Sequence, residues 1–240
     1  IFDEVKRVLR KDGTCFVNMG DTYNSHHEPG TTDAKTGWKS SGNDINPRQK
    51  EHGRDGVKSM PVKCLLQIPS RFAIEMTNRG WILRNEIIWH KPNCMPASVK
   101  DRFTVDFEKV FFFVKSKKYW FETQYEELAN PNRTNFQSGK RTNGINKDRN
   151  DNDMGERLKD FKFEKRNKRC VWKVTTKPFK EAHFATYPEA LIEPMIKAGC
   201  PENGIVLDPF FGAGTTGLVA KKQNKNYIGI ELNTDYIKIA

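Results

Sequence analysis

Residues 208–217 read DPFFGAGTTG, and this stretch decides how the rest of the chain is interpreted. The apolar run 204–207 leads into it, and a helix-like run follows it. A second apolar run, 226–230, is followed by Glu231, nineteen residues after Gly212. In βαβ units that hold a nucleotide, an acidic residue at the end of the second strand binds the ribose hydroxyls. The pattern therefore predicts a strand, a cofactor-binding turn, a helix and a second strand.

This unit lies at the carboxyl end of the sequence, which is an unusual place for it. A nucleotide-binding βαβ unit usually opens a domain, whereas here the second strand ends ten residues before Ala240. We therefore expect the other strands of the same sheet to come from residues before 204.

Helix and strand patterns do recur in the earlier part of the chain, which predicts an α/β fold. Apolar spacing indicates helices at 1–10, 62–79 and 187–199, and strands at 14–19, 81–89, 109–115 and 170–174. We expect the strands at 81–89 and 109–115 to form an antiparallel pair at one edge of the sheet. The whole is predicted to be a doubly wound, Rossmann-like sheet that is otherwise mostly parallel.

The composition points to a polyanionic partner. The formal charge is +11 with a pI near 9.4, and Lys and Arg gain affinity by releasing counterions from phosphates; a basic protein without such a partner is the alternative. The five cysteines are scattered and never reach CxxC spacing, which argues against a disulfide framework and a zinc site. We expect no metal, no membrane span and a cytoplasmic protein.

Two polar segments interrupt the apolar patterns. Residues 24–58 are rich in Gly, Ser, Asn and His and are predicted to form a loop, with His26, His27 and His52 as solvated side chains rather than metal ligands. Residues 130–169 hold twelve Lys or Arg against six Asp or Glu. We interpret 120–170 as a target-recognition insertion that faces nucleic acid; a solvated linker is the alternative.

The strand-end carboxylate separates two interpretations of the glycines. Gly212, Gly214 and Gly217 match GxGxxG, the dinucleotide signature, but Asp208 and three further residues precede the first glycine. A carboxylate there would repel a pyrophosphate, yet it would accept a hydrogen bond from an ammonium group such as that of S-adenosylmethionine. Asp208 therefore favours the methionine-bearing cofactor. An NAD-dependent oxidoreductase remains the alternative.

The sequence resembles the amino-directed DNA methyltransferases of the permuted class, in which the cofactor motif follows the catalytic one. Residues 208–217 resemble the cofactor motif, Glu231 resembles the ribose-binding acid, and 183–188 (HFATYP) resemble the segment that packs over the methionine moiety. Further similarity to bacterial and phage modification methylases lies in 89–93 (WHKPN), 95–102 (MPASVKDR) and 115–119 (KSKKY).

The resemblance implies S-adenosylmethionine as cofactor, double-stranded DNA as partner, and methyl transfer to an exocyclic amine of a flipped base. Cytosine N4 is favoured over adenine N6, because 18–23 and 89–102 look more like members with the serine version of the catalytic motif. A cognate restriction endonuclease is a further expected partner. The cofactor-binding residues implied are Asp208, Phe211, Gly212, Gly214, Thr215, Glu231 and Thr186.

The family's catalytic tetrapeptide, Asp-Pro-Pro-Tyr or Ser-Pro-Pro-Tyr, does not occur in residues 1–240. We expect it upstream of residue 1, which leaves the catalytic residues unknown, with Asp21 after the 14–19 strand as a candidate near the site. A DNA-binding remnant without catalytic activity is the alternative that this absence keeps open.

Overall fold

The computed structural model describes residues 1–24, 60–128, 165–176 and 187–240. Nearly all of the predicted loop 24–58, most of the predicted insertion 120–170, and Thr186 lie outside the described residues. The chain divides into two compact units: unit 1 is Ile1–Trp120 with Val171–Leu191, and unit 2 is Phe121–Cys170 with Ile192–Ala240. The expectation of a single methyltransferase domain over 1–240, with its cofactor-binding part at 171–240, stays a prediction.

Among the described elements, helices and strands alternate in the first and last parts of the chain, and five strands follow one another between those parts. In chain order they are α1 (Phe2–Val8), β1 (Thr14–Met19), α2 (Ile68–Asn78), β2 (Ile82–His90), β3 (Phe107–Val114), β4 (Tyr125–Glu127), β5 (Lys165–Asn167), β6 (Val171–Lys173), α3 (Glu189–Gly199), β7 (Ile205–Asp208), α4 (Thr215–Lys222), β8 (Asn226–Gly229) and α5 (Thr234–Ile239).

Unit 1 contains a four-stranded sheet in the order β1-β3-β2-β6. β3 is antiparallel to both β1 and β2, and β6 is parallel to β2, so β3 alone runs against the other three strands. The predicted antiparallel pairing of β2 with β3 is confirmed, but the pair does not lie at the edge of this sheet. β3 lies between β1 and β2, and its residues 110–114 are all apolar and at most 2% exposed, so both of its faces are covered.

The core of unit 1 forms on both sides of β3, because successive strand residues face opposite ways. Phe111 and Phe113 pack with buried residues of α2 and its C-terminal turn, namely Ala73, Met76 and Trp81. Phe112 lies on the other face and stacks on Phe16 of β1, with ring centroids 4.6 Å apart and planes 7° apart.

The helix predicted over 62–79 begins only at Ile68. The preceding residues pair instead with the segment after β1: the Asn24 amide donates to the Cys64 carbonyl at 2.7 Å, and the Leu66 amide donates to the Thr22 carbonyl at 2.9 Å. Gln67 has a φ of 56°, a left-handed conformation that an α-helix interior does not allow. The helical spacing of apolar residues extends through 62–67, but backbone groups within 63–66 form hydrogen bonds with residues 22–24 instead.

Unit 2 contains two small sheets. β7 and β8 are parallel, with α4 between them in sequence, which is the predicted βαβ unit. β4 and β5 are antiparallel and pair Glu127 with Lys165. They are further held by Glu126, whose carboxylate accepts from the Arg166 guanidinium at 2.8 Å and the Arg169 guanidinium at 2.6 Å.

The sequence raises three further expectations, which concern membrane spans, metal sites and disulfides. None of the described helices has the length and apolar character needed to cross a bilayer. Within the described ranges, no three His, Cys, Asp or Glu side chains lie close enough together to hold a metal ion. All five cysteines are free thiols, and burial raises the pKa of Cys15 to about 12.

Candidate cofactor site

The turn between β7 and α4 depends on two glycines in left-handed conformations. Gly212 has a φ of 52° and Gly214, the residue before the first turn of α4, has a φ of 82°. Side chains disfavour these values, so glycine is favoured at both positions. A Cβ on Gly212 would meet nothing within 4 Å. The backbone of Gly212 therefore borders open space, where a ligand can approach closely.

Asp208 closes the turn from the end of β7. One carboxylate oxygen accepts from the Phe210 amide at 2.9 Å, and the other accepts from the Thr216 hydroxyl at 2.6 Å. Both ends of the Gly-rich segment are thus fixed to one side chain. An ionised carboxylate can accept about four hydrogen bonds, and an ammonium group is one of the donors it can bind.

Glu231 fixes the same turn from the end of β8. Its oxygens accept from the Gly212 amide at 2.7 Å and from the Asn233 amide at 2.8 Å. The backbone amides of Asn233 and Gly212 lower the pKa of the Glu231 carboxyl, because they stabilise its ionised form. The nineteen-residue separation between Gly212 and Glu231 therefore corresponds to a direct hydrogen bond. Glu231 remains ionised at neutral pH.

Phe211 packs inside the βαβ unit. Its ring lies parallel to Tyr227, with centroids 5.7 Å apart and planes 15° apart. A Cβ on Gly229 would lie 2.4 Å from the ring, and one on Gly217 would lie 2.6 Å from it. The third glycine of the motif and the last residue of β8 therefore make room for Phe211. Phe210, by contrast, is 60% exposed.

The turn from β7 into α4 carries negative charge, and the basic residues of α4, Lys221 and Lys222, lie in the last turn of that helix. Residues 204–220 contain Asp208 and no Lys or Arg, and Glu231 is held against the turn. A cationic ligand group is favoured there over a pyrophosphate, since like charges would repel. This arrangement supports the preference for an ammonium-bearing cofactor over a dinucleotide.

The structure brings together Asp208, Phe211, Gly212, Gly214, Thr215 and Glu231 within the βαβ unit, with Thr215 as the first residue of α4. Asp21 belongs to unit 1, where its carboxylate accepts from the amides of Thr22 at 2.9 Å and Ile68 at 3.1 Å. Asp21 therefore caps the start of α2, and a role near the reaction stays a prediction.

Sequence reasoning missed two residues that shape the site, Thr216 and Asn233. Thr216 is the partner of Asp208, but its position in a Thr-Thr pair gives no sign of which hydroxyl is used. Asn233 did carry a signal: its side chain accepts from the Asp235 amide at 2.9 Å and caps α5, and Asn is a favoured helix N-cap.

Comparisons with known proteins agree on one family. A sequence profile described as DNA methylase matches residues 1–240. The Type II methyltransferase M.Cfr9I of Citrobacter freundii is 39% identical over 240 residues, which is 100% of this chain and 67% of that protein. The M1.HpyAVI–SAM complex has a TM-score of 0.50 and 26% identity, covering 73% of this chain and 68% of its own. The cytosine-N4-specific PvuII DNA methyltransferase has a TM-score of 0.60 at 16% identity, covering 98% and 64%, a likeness of fold alone.

Proposed function

This chain belongs to the DNA methylase family, and from that premise we propose that it transfers a methyl group from S-adenosylmethionine to an exocyclic amino group of a base in duplex DNA. The family resemblance and the predicted fold class, a Rossmann-like methyltransferase sheet, are confirmed. The chain spans 67% of the length of each of two relatives that are 39% identical to it.

The observation that carries the cofactor assignment is the pair of carboxylates around the Gly-rich turn. Asp208 would accept from the ammonium of S-adenosylmethionine, and Glu231 would accept from its ribose hydroxyls through lone pairs that its two backbone amides leave open. The open space at Gly212 lets the ligand approach the backbone. The residues present therefore fit this cofactor.

The chain's own residues bind and orient the reactants. S-adenosylmethionine would supply its methyl group from a positively charged sulfonium, whose carbon–sulfur bond breaks to release a neutral thioether as a good leaving group. An exocyclic amine is a poor nucleophile because its lone pair is conjugated with the ring, so alignment of the two groups supplies much of the rate. The hydrogen bonds of Asp208 to Thr216 and of Glu231 to Gly212 would hold the cofactor, and with it the methyl group, in place.

The DNA partner is supported by charge. The excess of positive over negative side chains is +11 for the whole chain, and residues 130–169 hold twelve basic against six acidic residues. Such an excess provides phosphate contacts that position a duplex without specifying its sequence. The relative M.Cfr9I is named a Type II methyltransferase, and we propose that this chain acts together with a restriction endonuclease that recognises the same site.

For the target atom we propose cytosine N4 over adenine N6. The support is the similarity of 18–23 and 89–102 to members with a serine-type catalytic motif. Neither tetrapeptide occurs in residues 1–240, so no catalytic residue is assigned. Asp21 and Thr186 are proposed as additional site residues.

The test incubates the full-length protein with methyl-labelled S-adenosylmethionine and duplex DNA, then identifies the modified nucleoside by mass spectrometry. We expect N4-methylcytosine; N6-methyladenine would overturn only the target choice. Label in RNA and in no DNA would overturn the DNA assignment.

Asp208→Asn should weaken cofactor binding in calorimetry, whereas Glu202→Gln, an exposed residue before β7, should not. Binding of NAD without S-adenosylmethionine would establish the oxidoreductase instead.

A further inference from the structure

The loop between β2 and β3 exposes two large apolar side chains. Met95 is 89% exposed and Phe103 is 96% exposed, while Phe111 and Phe113 in the adjoining strand are 0% exposed. A single exposed apolar residue needs no explanation. A phenylalanine that is almost fully exposed in a loop with several fixed contacts does need an explanation.

The loop is fixed at its base and near its tip. The Lys91 amide donates to the Asp106 carbonyl at 2.7 Å. The Arg102 guanidinium lies 3.5 Å from the centroid of the Tyr23 ring, and Lys63 pairs with Asp101 at 2.7 Å. These contacts hold the residues on the N-terminal side of Phe103, so its exposure follows from the loop's folded conformation.

The loop lies at the end of the sheet where β1 and β2 finish. His90, the last residue of β2, pairs with Phe107, the first residue of β3, and Met19 at the end of β1 pairs with Lys109. Ligands of α/β sheets gather at the carboxyl ends of strands that run in the same direction. Phe103 therefore belongs to the ligand-binding side of unit 1.

The charges next to Phe103 are suited to phosphate. Lys100 and Arg102 precede it, and the one carboxylate between them, Asp101, is paired with Lys63. Lys100 and Arg102 thus leave positive charge beside an exposed aromatic ring. Proteins that kink duplexes use this combination, with apolar wedges such as Phe or Met between base steps and cations on the backbone.

We propose that Phe103 inserts between base pairs of duplex DNA, with Lys100 and Arg102 on the neighbouring phosphates, and fills the space that the flipped base leaves. This inference rests on the proposed function, since an enzyme that acts on a base within a duplex must take that base out of the stack. Phe103 would act as a positioning residue, because it touches neither the cofactor nor the reacting amine.

The first experiment asks what Phe103 touches, and it does not require turnover. p-Benzoylphenylalanine replaces Phe103 in the full-length protein, which is irradiated with a duplex plasmid fragment. The matched control carries the same group at Ile74, which is 62% exposed on α2. We expect a protein–DNA adduct from position 103 and none from position 74. An adduct with a second copy of the protein, or no adduct, overturns the proposal.

The second experiment separates insertion from phosphate contact. Phe103→Ala should lower kcat/KM for duplex DNA by about tenfold or more, with cofactor affinity and the salt dependence of DNA binding unchanged, and Phe103→Trp should restore activity. Lys100→Ala should instead reduce the salt slope by about one. Ile74→Ala should match wild type. Wild-type kcat/KM in Phe103→Ala would overturn insertion, whereas a wild-type protein that methylates no DNA would overturn the proposed function itself.

Discussion

β3 in unit 1 and the Gly-rich turn in unit 2 are held in shape by different forces. Five consecutive residues of β3, 110–114, are at most 2% exposed and pack against elements distant in sequence. The turn lies beside β8, all of whose residues are exposed, and two carboxylates fix it through short hydrogen bonds. One region depends on burial and the other on polar contacts.

The difference indicates that stability and cofactor binding can be altered separately. Burial of apolar surface contributes in proportion to area and in no particular direction, so a core substitution should reduce the free energy of unfolding of the whole unit. Hydrogen bonds to a carboxylate fix a local geometry instead. Substitutions in the turn should therefore change the affinity for S-adenosylmethionine more than the free energy of unfolding.

The largest effect is expected in the core. Phe111→Ala removes a ring that is 0% exposed, and we expect the free energy of unfolding to fall by about 3–5 kcal/mol, measured by chemical denaturation. Ile74→Ala, on an exposed surface of α2, should change it by less than about 0.5 kcal/mol. Equal losses in the two variants would show that β3 does not anchor the fold.

Asp208→Ala should have the next largest effect, on ligand affinity. It removes the acceptor for the Thr216 hydroxyl and the Phe210 amide, as well as the proposed ammonium contact. Hydrogen bonds to charged groups contribute about 1.5–3 kcal/mol each, so affinity for S-adenosylmethionine should fall by about 10- to 100-fold in calorimetry. Glu202→Gln is the control. Unchanged affinity with lowered stability would give Asp208 a purely structural role.

Gly229→Ala tests the packing of Phe211 under the turn. The new Cβ would lie 2.4 Å from the ring, and overpacking of this kind costs about 1–3 kcal/mol, which thermal denaturation would detect. Phe211→Leu in the same chain should reduce that cost. Gly20→Ala is the control, because its nearest neighbour, Glu108, is 3.6 Å away. Additive effects of the two substitutions would contradict the predicted steric conflict.

A smaller effect should follow pH at Glu231. Its pKa is lowered in the folded state by the Asn233 and Gly212 amides, so its contribution is fully present above the ordinary carboxyl pKa of about 4.3. The contribution disappears as pH falls through the lowered value. The difference in free energy of unfolding between wild type and Glu231→Gln should therefore be constant near neutrality and shrink in acid. A constant difference down to the lowest pH would contradict this.

The smallest effect concerns thiol reactivity, with no change in stability. Burial raises the pKa of Cys15 to about 12, so little thiolate forms at pH 8, whereas Cys170 is exposed. Iodoacetamide on the native protein should modify Cys170 well before Cys15, as read by peptide mass spectrometry. Equal rates would indicate that β1 opens readily from the sheet.

The sequence predicted the elements whose signals are local and long enough. β1 was predicted with its observed bounds, and β7, α4 and β8 follow from the glycines and apolar runs around 208–231. β4 (YEE) and β5 (KRN) are not predicted because they are short and almost entirely polar, whereas the equally short β6 contains Val171 and Trp172. The sequence does contain a signal for the burial of β3, since an unbroken apolar run indicates a strand that is covered on both faces.

The sequence indicates which residues form the Gly-rich turn, but it does not indicate the hydrogen bonds between them. The spacing of Asp208, Gly212 and Glu231 indicated a ligand-binding turn, but hydrogen bonds such as Asp208 to Thr216 depend on side-chain geometry that a sequence pattern does not contain. The late start of α2 has the same origin, because residues 63–66 pair with 22–24 across a gap in sequence that no local pattern spans.

The β4–β5 pair has a consequence for how such a protein can change. It places Glu127 beside Lys165, thirty-eight positions apart, and the Glu126 ion pairs hold that junction together. Doubling the length of a closed loop costs only about 0.6 kcal/mol. A different segment spliced between these two strands would therefore leave the cofactor turn intact. On the prediction that residues 120–170 recognise the DNA target, recombination at this junction would be a route by which such a protein acquires new DNA sequences to modify.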